Sequence, residues 1–467
     1  MIQISCFEEI FNANTIAVIG ASQDPNKLGY KIVENLVAQQ RKVYPINPSI
    51  THVLNLKAYA SVKDVPEPIT LAILIISPKR ILQAITDCGI KGIKYAIIIS
   101  EGFQETGPEG AQLQETLKKL LDKYKIRAIG PNTMGIHDTV TPFTASFLDS
   151  MRNLKPGSVS ISSQTGILAG ALLQYLNLTK NIGIARVIDL GNKIDLDHGD
   201  VLEFFMNDKN TKVIGMHIEG VSNGQKFAQR LKEASLRKPV VILKGGVMDE
   251  TKRIVASHTG SIAGDEKIFD SLVRKSGAIR VIDFPEFADV LKGFSYMPCP
   301  EGNEVAIITG SGGAAVITID ALLRNGLKLA KLSKNTIEEI RRFIPEEGKI
   351  QNPIDIWPSA VRYGIDTLFA RMIALLNDDP NVKAIITLLF KVEDFSYDFD
   401  PIIQAALSCS KPIFFAIQGT DTENIRNTFE SKGLPTFSYG EKITRILYYM
   451  WNYKKFLKNS RNSINNS

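Results

Sequence analysis

The chain contains little cysteine, and its cysteines are scattered. The 467 residues include four, Cys6, Cys88, Cys299 and Cys409, and none forms a C-x-x-C pair. Disulfide frameworks and structural zinc sites need cysteines that are clustered or regularly spaced. The sequence therefore argues against both and favours a reducing compartment, the cytoplasm.

Long apolar runs and long charged runs are also missing. Apolar runs such as Leu71–Ser77 (LAILIIS) are far shorter than the ~20 residues of a membrane-spanning helix, and the first residues, MIQISCFEEIF, do not resemble a secretory signal. The net charge is +6 without a block of five like charges, which is too little for a nucleic-acid-binding surface. We therefore expect neither a membrane nor a nucleic acid as partner.

Strand-like runs instead alternate with amphipathic helical stretches along most of the chain. This alternation is typical of parallel α/β layers, and the length allows several domains. Turn-rich segments at Met151–Ser158 and Tyr296–Asn303 mark two boundaries. The sequence predicts three doubly wound units at residues 1–150, 151–296 and 297–460, followed by a polar tail, 461–467, that we expect to be frayed.

The first strand, in TIAVIGAS, ends in a loop suited to a phosphate-bearing ligand. Gly20 lets the backbone approach a phosphate, and the next helix supplies N–H groups. The spacing is not G-x-G-x-x-G, because only Gly20 and Gly29 are present. No acidic residue follows the second strand, which ends in Pro45–Pro48. An NAD(P)-dependent oxidoreductase is therefore disfavoured, although it remains an alternative.

Small polar residues follow three other strands of the first unit. They form the pairs Ser77-Pro78 and Pro131-Asn132 and the triplet Ser100-Glu101-Gly102. Ligands of open α/β sheets bind at the carboxyl ends of the strands. Together with Gly20, these loops outline one crevice.

The second unit opens with a candidate anion-binding segment. Residues 162–166 (SSQTG) lie between a strand and a helix of small residues, where exposed N–H groups and hydroxyls can hold an anion without a lysine. Residues 189–193 (DLGNK) form a polar loop after another strand. A solvated loop is an equally good interpretation of the second segment.

The sharpest signal is His258, in the segment ASHTGSIAG. It is one of five histidines, and it lies among small residues that would let an imidazole reach a phosphate. Neutral imidazole is a nucleophile near pH 7, so a phosphohistidine can form and break there. Glu219, at the end of the strand MHIEG, is the leading candidate to orient the ring. The other histidines, His52, His137, His198 and His217, favour structural or surface roles.

The third unit contains a weak motif, ITGSGGAA at residues 308–315. It lacks the G-K-[ST] ending of a nucleotide P-loop. The sequence shows no convincing site for a nucleoside triphosphate with magnesium.

Taken in order, these motifs resemble the ADP-forming acyl-CoA synthetases of the succinyl-CoA synthetase superfamily, and within them the α subunits of the acetyl-CoA enzymes. The resemblance covers nearly the whole chain. It is carried by VIGAS, KLGY, YPINP, ISEGF, IGPN, SISSQTGIL, LGNKIDLD, IEGV, KPVVILKGG, SHTGSIAG, TGSGGAAV and NPIDI. The histidine segment is highly specific, whereas the other motifs are weaker individually but stand in the right order.

The resemblance implies an N-terminal Rossmann-like domain that binds coenzyme A, followed by two flavodoxin-like domains. Carried over residue by residue, the coenzyme A contacts would be Gly20, Ala21, Ser22, Ser77, Pro78, Ser100, Glu101 and Asn132. The phosphate would be held by Ser163, Gln164, Thr165 and Gly166. His258 would be phosphorylated and Glu219 would orient it.

The family also implies a partner. ATP or ADP with Mg²⁺ would be bound mainly by an ATP-grasp β subunit, in an α2β2 assembly. Departures from the family pattern occur at Thr133, at Thr309–Gly313 and at Phe390–Val392. The last two lie where the acyl group is expected, so the acid, acetate or another short-chain or aryl acid, stays open. A coenzyme A-binding regulatory subunit without catalysis remains a second alternative.

Overall fold

The computed structural model describes residues 5–164, 166–251, 265–344, 350–393 and 397–465. The chain divides into two compact units, residues 1–287 and 288–467. Both are built on parallel sheets with helices, as the alternating pattern predicted. The predicted fold class is confirmed.

The first sheet of unit 1 has five parallel strands. They are β1 (Thr15–Ile19), β2 (Lys42–Ile46), β5 (Leu71–Leu74), β6 (Tyr95–Ile98) and β7 (Arg127–Ile129), with a separate ribbon of β3 (His52–Val53) and β4 (Leu56–Lys57). The helices of this part are Cys6–Phe11, Leu28–Ala38, Pro78–Lys91 and Pro108–Tyr124. The strand order is β2–β1–β5–β6–β7. It reverses between β1 and β5, which is where ligands of such sheets bind.

The second sheet of unit 1 has seven strands. They are β8 (Ile136–Asp138), β9 (Phe143–Ala145), β10 (Pro156–Ser163), β11 (Ile184–Asp189), β12 (Val213–Ile218), β13 (Val240–Lys244) and β14 (Ile279–Val281). The helices here are Gly166–Ala169, Ala171–Gln174, His198–Asn207, Gly224–Arg237 and Glu266–Lys275, with a π-helix at Tyr175–Thr179. The strand order is β14–β13–β12–β10–β11–β8–β9. Strands β8 and β9 form an antiparallel hairpin, and the other five strands are parallel.

This hairpin ties residues before position 150 to the second sheet. Arg186 on β11 lies at the join, with its guanidinium 2.7 Å from an oxygen of Asp138 on β8 and 3.0 Å from an oxygen of Asp208. The guanidinium also lies over the rings of Phe11 and Phe204. The arginine therefore connects the N-terminal helix, the hairpin and the second sheet.

Unit 2 has one parallel sheet. Its strands are β15 (Glu304–Thr309), β16 (Lys328–Leu329), β17 (Ile354–Asp355), β18 (Ala384–Lys391), β19 (Ile413–Gly419) and β20 (Thr436–Phe437). Their order is β16–β15–β18–β19–β20, with β17 also paired to β15. The helices are Phe284–Tyr296, which starts in unit 1, Gly312–Arg324, Lys334–Arg341, Trp357–Tyr363, Ile365–Asp378, Asp400–Leu407, Thr422–Ser431 and Gly440–Asn465. Within the described ranges, none of the helices has the length and apolar character needed to cross a membrane.

The last helix extends further toward the C-terminus than the sequence predicted. The polar residues from position 461 were expected to fray, but the helix continues to Asn465. Extending an existing helix fixes one residue per hydrogen bond, which costs far less than starting a new one. Polar composition alone therefore did not mark the end of the helix.

We predict that Arg186→Ala will strongly destabilise unit 1. The substitution would leave the side chains of Asp138 and Asp208, which are 1% and 6% exposed, without their shared cation. Breaking a buried ion pair in this way costs about 3–5 kcal/mol. Chemical denaturation followed by circular dichroism measures the loss.

Arg274→Ala is the matched control in the same unit. The side chain of Arg274 is 76% exposed, and it pairs with Asp270 on the same helix. Exposed pairs contribute about 0–1 kcal/mol. Equal losses of stability in the two variants would contradict the structural role assigned to Arg186.

Candidate active site

The loop after β1 is shaped by two close backbone approaches. Gly20 has φ +99°, and a Cβ at this position would lie 2.1 Å from the carbonyl oxygen of Ile75. A Cβ on Gly29 would lie 2.1 Å from the carbonyl oxygen of Gly20. Side chains are therefore excluded at both positions, which brings the start of the helix Leu28–Ala38 against the loop.

Ala21 and Ser22 continue this loop. The carbonyl oxygen of Ala21 accepts a hydrogen bond of 2.8 Å from the amide of Asn47, which follows β2. The hydroxyl of Ser22 accepts one of 3.1 Å from the backbone N–H of Asp24. These two hydrogen bonds hold the loop at the point where the strand order reverses.

The other predicted coenzyme A residues lie at the ends of neighbouring strands. Ser77 and Pro78 begin the helix after β5. Ser100 follows β6; its hydroxyl accepts a hydrogen bond of 3.0 Å from the N–H of Ile76, and its carbonyl accepts one of 2.9 Å from the N–H of Asn132. Glu101, next to it, is exposed. The three loops thus share one edge of the sheet and are hydrogen-bonded to each other.

A cavity of about 350 Å³ opens beside Gly20. It is lined by Ile19, Gly20, Ile46, Asn47, Pro48, Ala60, Ser61, Val62, Ile76, Lys79, Arg80, Gln83, Ala84 and Asp87. Lys79 and Arg80 are in the first turn of the helix Pro78–Lys91, where no acidic residue is present and Ser77 makes no side-chain cap. Two cations at a helix N-terminus favour a phosphate-bearing ligand.

Sequence reasoning missed these two cations. Lys79 and Arg80 directly follow the predicted pair Ser77-Pro78, so their position after β5 was the available signal. In the sequence they resemble ordinary exposed residues of an amphipathic helix. In the structure they are exposed, and they also line the cavity.

The predicted phosphate-binding segment begins at the end of β10. Ser163 is fully buried, and its carbonyl accepts a hydrogen bond of 2.9 Å from Leu190. Gln164 is also buried; its side-chain oxygen accepts hydrogen bonds from the N–H groups of Glu219 (3.0 Å) and Gly220 (3.3 Å). Gln164 therefore sets the loop that carries Glu219. Thr165 lies outside the described residues.

The helix expected after this segment is broken. Gly166–Ala169 is one four-residue helix, Ala171–Gln174 is another, and a π-helix follows. Gly170 separates the first two, with φ −114° and ψ −104°. Glycine has little preference for helical angles, so the run of small residues does not keep the chain in one helix.

Glu219 and Lys244 lie side by side at the ends of β12 and β13. The ammonium of Lys244 donates a hydrogen bond of 2.7 Å to the carbonyl of Glu219 and another to that of Gly245. A Cβ on Gly245 would lie 3.5 Å from the side chain of Glu219 and 3.4 Å from the ring of His217. The chain that leads to His258 therefore leaves the sheet beside Glu219.

Asp189, the last residue of β11, and Lys193, on the loop that follows, complete a buried charged group. Burial raises the pKa of Asp189 to about 7, opposed by hydrogen bonds from the N–H of Met134 and the hydroxyl of Thr133, with Glu219 raising it further. Burial also lowers the pKa of Lys193 to about 8, against the attraction of Glu219, Asp197 and Asp189. The pKa values of both groups therefore lie close to neutral pH.

Two histidines adjoin this group. Burial lowers the pKa of His217 to about 4, and burial followed by repulsion from Lys193 lowers that of His198 as well. His198 also lies 3.2 Å from the side-chain oxygen of Gln164. Both rings are therefore neutral at pH 7, and the lysines carry the positive charge of this group.

His258 itself lies outside the described residues. The described chain stops at Thr251 and resumes at Asp265. The carboxyl edge of the second sheet combines two carboxyl groups, two buried lysines and a fixed glutamine. This combination can receive and stabilise a phosphoryl group.

Three family models match successive parts of the chain. Residues 14–139 match a coenzyme A-binding domain, residues 156–294 the flavodoxin-like domain of succinyl-CoA ligases, and residues 305–442 a ligase-CoA domain. These models together span both described units.

Individual relatives match over nearly the whole chain. The α subunit of the ADP-forming acetate–CoA ligase II of Pyrococcus furiosus is 37% identical over 94% of this chain and 96% of its own length. The ADP-forming acetate–CoA ligase II of Archaeoglobus fulgidus is 35% identical over 96% of this chain and 67% of its own length. A solved acetyl-coenzyme A synthetase 1 from Candidatus Korarchaeum cryptofilum, in complex with phosphate and ADP, superposes with a TM-score of 0.90 at 32% identity, covering 98% of this chain and 99% of its own. The protein belongs to the ADP-forming acyl-CoA synthetases of the succinyl-CoA synthetase superfamily.

Proposed function

We propose that the chain is the α subunit of a reversible acid–CoA ligase, which converts acyl-CoA, ADP and phosphate into the free acid, ATP and coenzyme A. The acid is acetate or a related short-chain or aryl acid, and the enzyme works in the cytoplasm. The observation that carries the proposal is the group formed by the partly buried Glu219 and the buried Lys244, Asp189 and Lys193, beside which the chain leaves the sheet toward His258. It lies in the same unit as the phosphate-suited cavity beside Gly20.

Coenzyme A is assigned to the first sheet edge. Its phosphates suit the Gly20–Ser22 loop and the cations Lys79 and Arg80, because the loop admits no side chain at Gly20 and the helix end carries no acid. The pantetheine arm would follow Ser77, Ser100 and Asn132 along the crevice. The thiol would then point toward the second sheet edge.

The chemistry needs two transfers of a phosphoryl group. Phosphate attacks the thioester carbonyl, the C–S bond breaks, and acyl phosphate and coenzyme A form. The ring nitrogen of His258 then attacks phosphorus, which releases the carboxylate and leaves phospho-His258. Glu219 would accept a hydrogen bond from the other ring nitrogen, while Ser163–Gly166 and the two buried lysines offset the phosphate charge.

The last transfer is to ADP on an ATP-grasp β subunit. The matched P. furiosus relative is named as an α subunit, which supports a separate partner. Mg²⁺ on that partner would neutralise the nucleotide phosphates. We assign an α2β2 assembly on the basis of the family resemblance.

The acyl group is assigned to the third domain, at residues 309–313 and 390–392. In unit 2 the ends of these strands are adjacent, because Thr309 on β15 is paired with Leu388 on β18 and with Asp355 on β17. Both segments depart from the family pattern. They are therefore the positions at which to change acid preference.

We predict that His258→Asn abolishes phosphorylation of the chain. With its β subunit and γ-labelled ATP, the wild-type chain should retain acid-labile label, and the variant should retain none because Asn has no nucleophilic nitrogen. Glu219→Gln should slow labelling by about 10²–10⁴-fold, because the ring loses its orienting carboxylate. Rapid-quench labelling and peptide mass spectrometry measure both.

His52→Asn is the control for a lost imidazole. Its ring is exposed on the β3–β4 ribbon and lies 3.0 Å from the hydroxyl of Thr51. Label retained by His258→Asn, or label found on another residue, would refute the phosphohistidine.

We also predict that Lys79 and Arg80 recognise a phosphate of coenzyme A, most directly its 3′-phosphate. The double variant Lys79→Ala/Arg80→Ala should weaken coenzyme A binding about tenfold or more, because charge-assisted hydrogen bonds contribute about 1.5–3 kcal/mol. Binding of dephospho-coenzyme A should change little. Isothermal titration calorimetry with both ligands measures the difference.

Lys119→Ala is the matched control on the neighbouring helix. Its side chain is 74% exposed and pairs with Glu115. An equal loss of affinity for both ligands in the Lys79/Arg80 variant would exclude contact with the 3′-phosphate. Unchanged affinity for both ligands would show that Lys79 and Arg80 do not contact coenzyme A.

A further inference from the structure

The loop after β11 lies directly on the coenzyme A side of unit 1. The N–H of Asn192 donates a hydrogen bond of 2.9 Å to the carbonyl of Pro131, and the N–H of Ile194 donates one of 2.9 Å to that of Gly130. A Cβ on Gly191 would lie 2.3 Å from the carbonyl oxygen of Pro131. The close contact fixes the Asp189–Lys193 loop against the segment that carries Asn132.

The side chain of Asn192 reaches further into the first domain. It is 5% exposed, and its amide nitrogen donates hydrogen bonds of 2.6 Å to an oxygen of Glu105 and 3.0 Å to the side-chain oxygen of Gln114. These two residues belong to the 3₁₀ turn Gln104–Thr106 and the helix Pro108–Tyr124. A hydrogen bond to a carboxylate is about twice as strong as one between neutral groups.

Glu105 also binds the coenzyme A loop, residues 100–103. Its second oxygen accepts hydrogen bonds from the N–H groups of Gly102 (2.6 Å) and Phe103 (3.0 Å). Phe103 is fully buried, so the loop cannot move without disturbing the core. At the other end of the loop, Ser100 is held by Ile76 and Asn132. One carboxylate thus connects the loop of residues 100–103 to Asn192.

We propose that Asn192 is a positioning residue for the acyl-transfer step. Its side chain clamps the coenzyme A loop, through Glu105, to the loop that carries Asp189 and Lys193. The inference rests on the proposed function, because it assumes that coenzyme A binds along Ser100 and Glu101. It adds a residue that touches neither coenzyme A nor phosphate but fixes the distance between their two sites.

The clamp requires a neutral donor at position 192. An Asn192→Asp substitution would place a second carboxylate against Glu105, and like charges at this separation repel. The repulsion should displace the coenzyme A loop and leave the phosphohistidine site unchanged.

The donor and the acceptor of this hydrogen bond can also be exchanged. When Asn192→Asp is combined with Glu105→Gln, the new amide at position 105 can donate to the new carboxylate at position 192. The amide oxygen at position 105 remains available to the N–H groups of Gly102 and Phe103. Gln114 can donate to that carboxylate by turning its amide group, which gives up only the long hydrogen bond of 3.5 Å that its oxygen accepts from the N–H of Gln104, so the double variant should restore the clamp.

The experiment compares Asn192→Asp, Glu105→Gln and the double variant, each assembled with the β subunit. We expect Asn192→Asp to raise the KM for coenzyme A at least tenfold and to slow acyl-CoA cleavage by phosphate. Labelling of the chain by ATP should stay within twofold of wild type. In the double variant the KM should return to within about threefold of wild type, although two substitutions normally add their losses.

Asn207→Asp is the matched control. Asn207 is exposed on the helix His198–Asn207 and accepts a hydrogen bond from Arg237, so the substitution adds the same charge to the same unit without entering the clamp. Circular dichroism melting checks that each variant is folded. A simple loss of stability would slow both acyl-CoA cleavage by phosphate and labelling by ATP, and the double variant would not reverse it. A positioning role predicts that only acyl-CoA cleavage is slowed and that the double variant restores it.

Two outcomes would overturn the clamp. The first is an Asn192→Asp variant that has the wild-type KM for coenzyme A or loses both half-reactions together. The second is a double variant in which the losses of the two single variants simply add. If the wild-type complex neither binds coenzyme A nor becomes labelled, the proposed function fails instead. The two failures are therefore distinguishable.

Discussion

Charged side chains removed from water at the carboxyl edge of the second sheet are the constraint on which unit 1 depends. Lys193 and Lys244 are 7% and 9% exposed, and Asp189 is 1% exposed. Burying each such ion costs several kcal/mol, which neighbouring charges and hydrogen bonds must offset. Buried charges of this kind cluster at functional sites, and two cations at one sheet edge suit a phosphoryl group.

Parallel sheets bring this group together from distant parts of the sequence. Side chains that end strands β10, β11, β12 and β13 meet at one edge because all four strands run in the same direction. The first sheet does the same for the coenzyme A loops. The hairpin β8–β9 and the loop after β11 then connect one edge to the other.

The sequence predicted the periodic and local features well. The buried run at Leu71–Leu74, the glycine loop at Gly20 and the fold class all follow from short-range patterns. Long-range features were missed: the pairing of β8 with β11 joins residues about 50 positions apart, and the approach of Lys79 and Arg80 to the cavity depends on helix orientation. The burial of Lys193 could not be predicted either, because a lysine in a polar loop is normally solvated.

The choice of an amide at position 192 follows from the same electrostatics. A lysine there would bind Glu105 as an ion pair, but it would place another cation beside Lys193, whose pKa is already lowered by burial. An aspartate would repel Glu105. Asparagine donates to the carboxylate and adds no charge, so the clamp does not disturb the proton balance of Asp189 and Lys193. Asparagine at position 192 therefore holds the Glu105 carboxylate while adding no charge of its own beside Asp189 and Lys193.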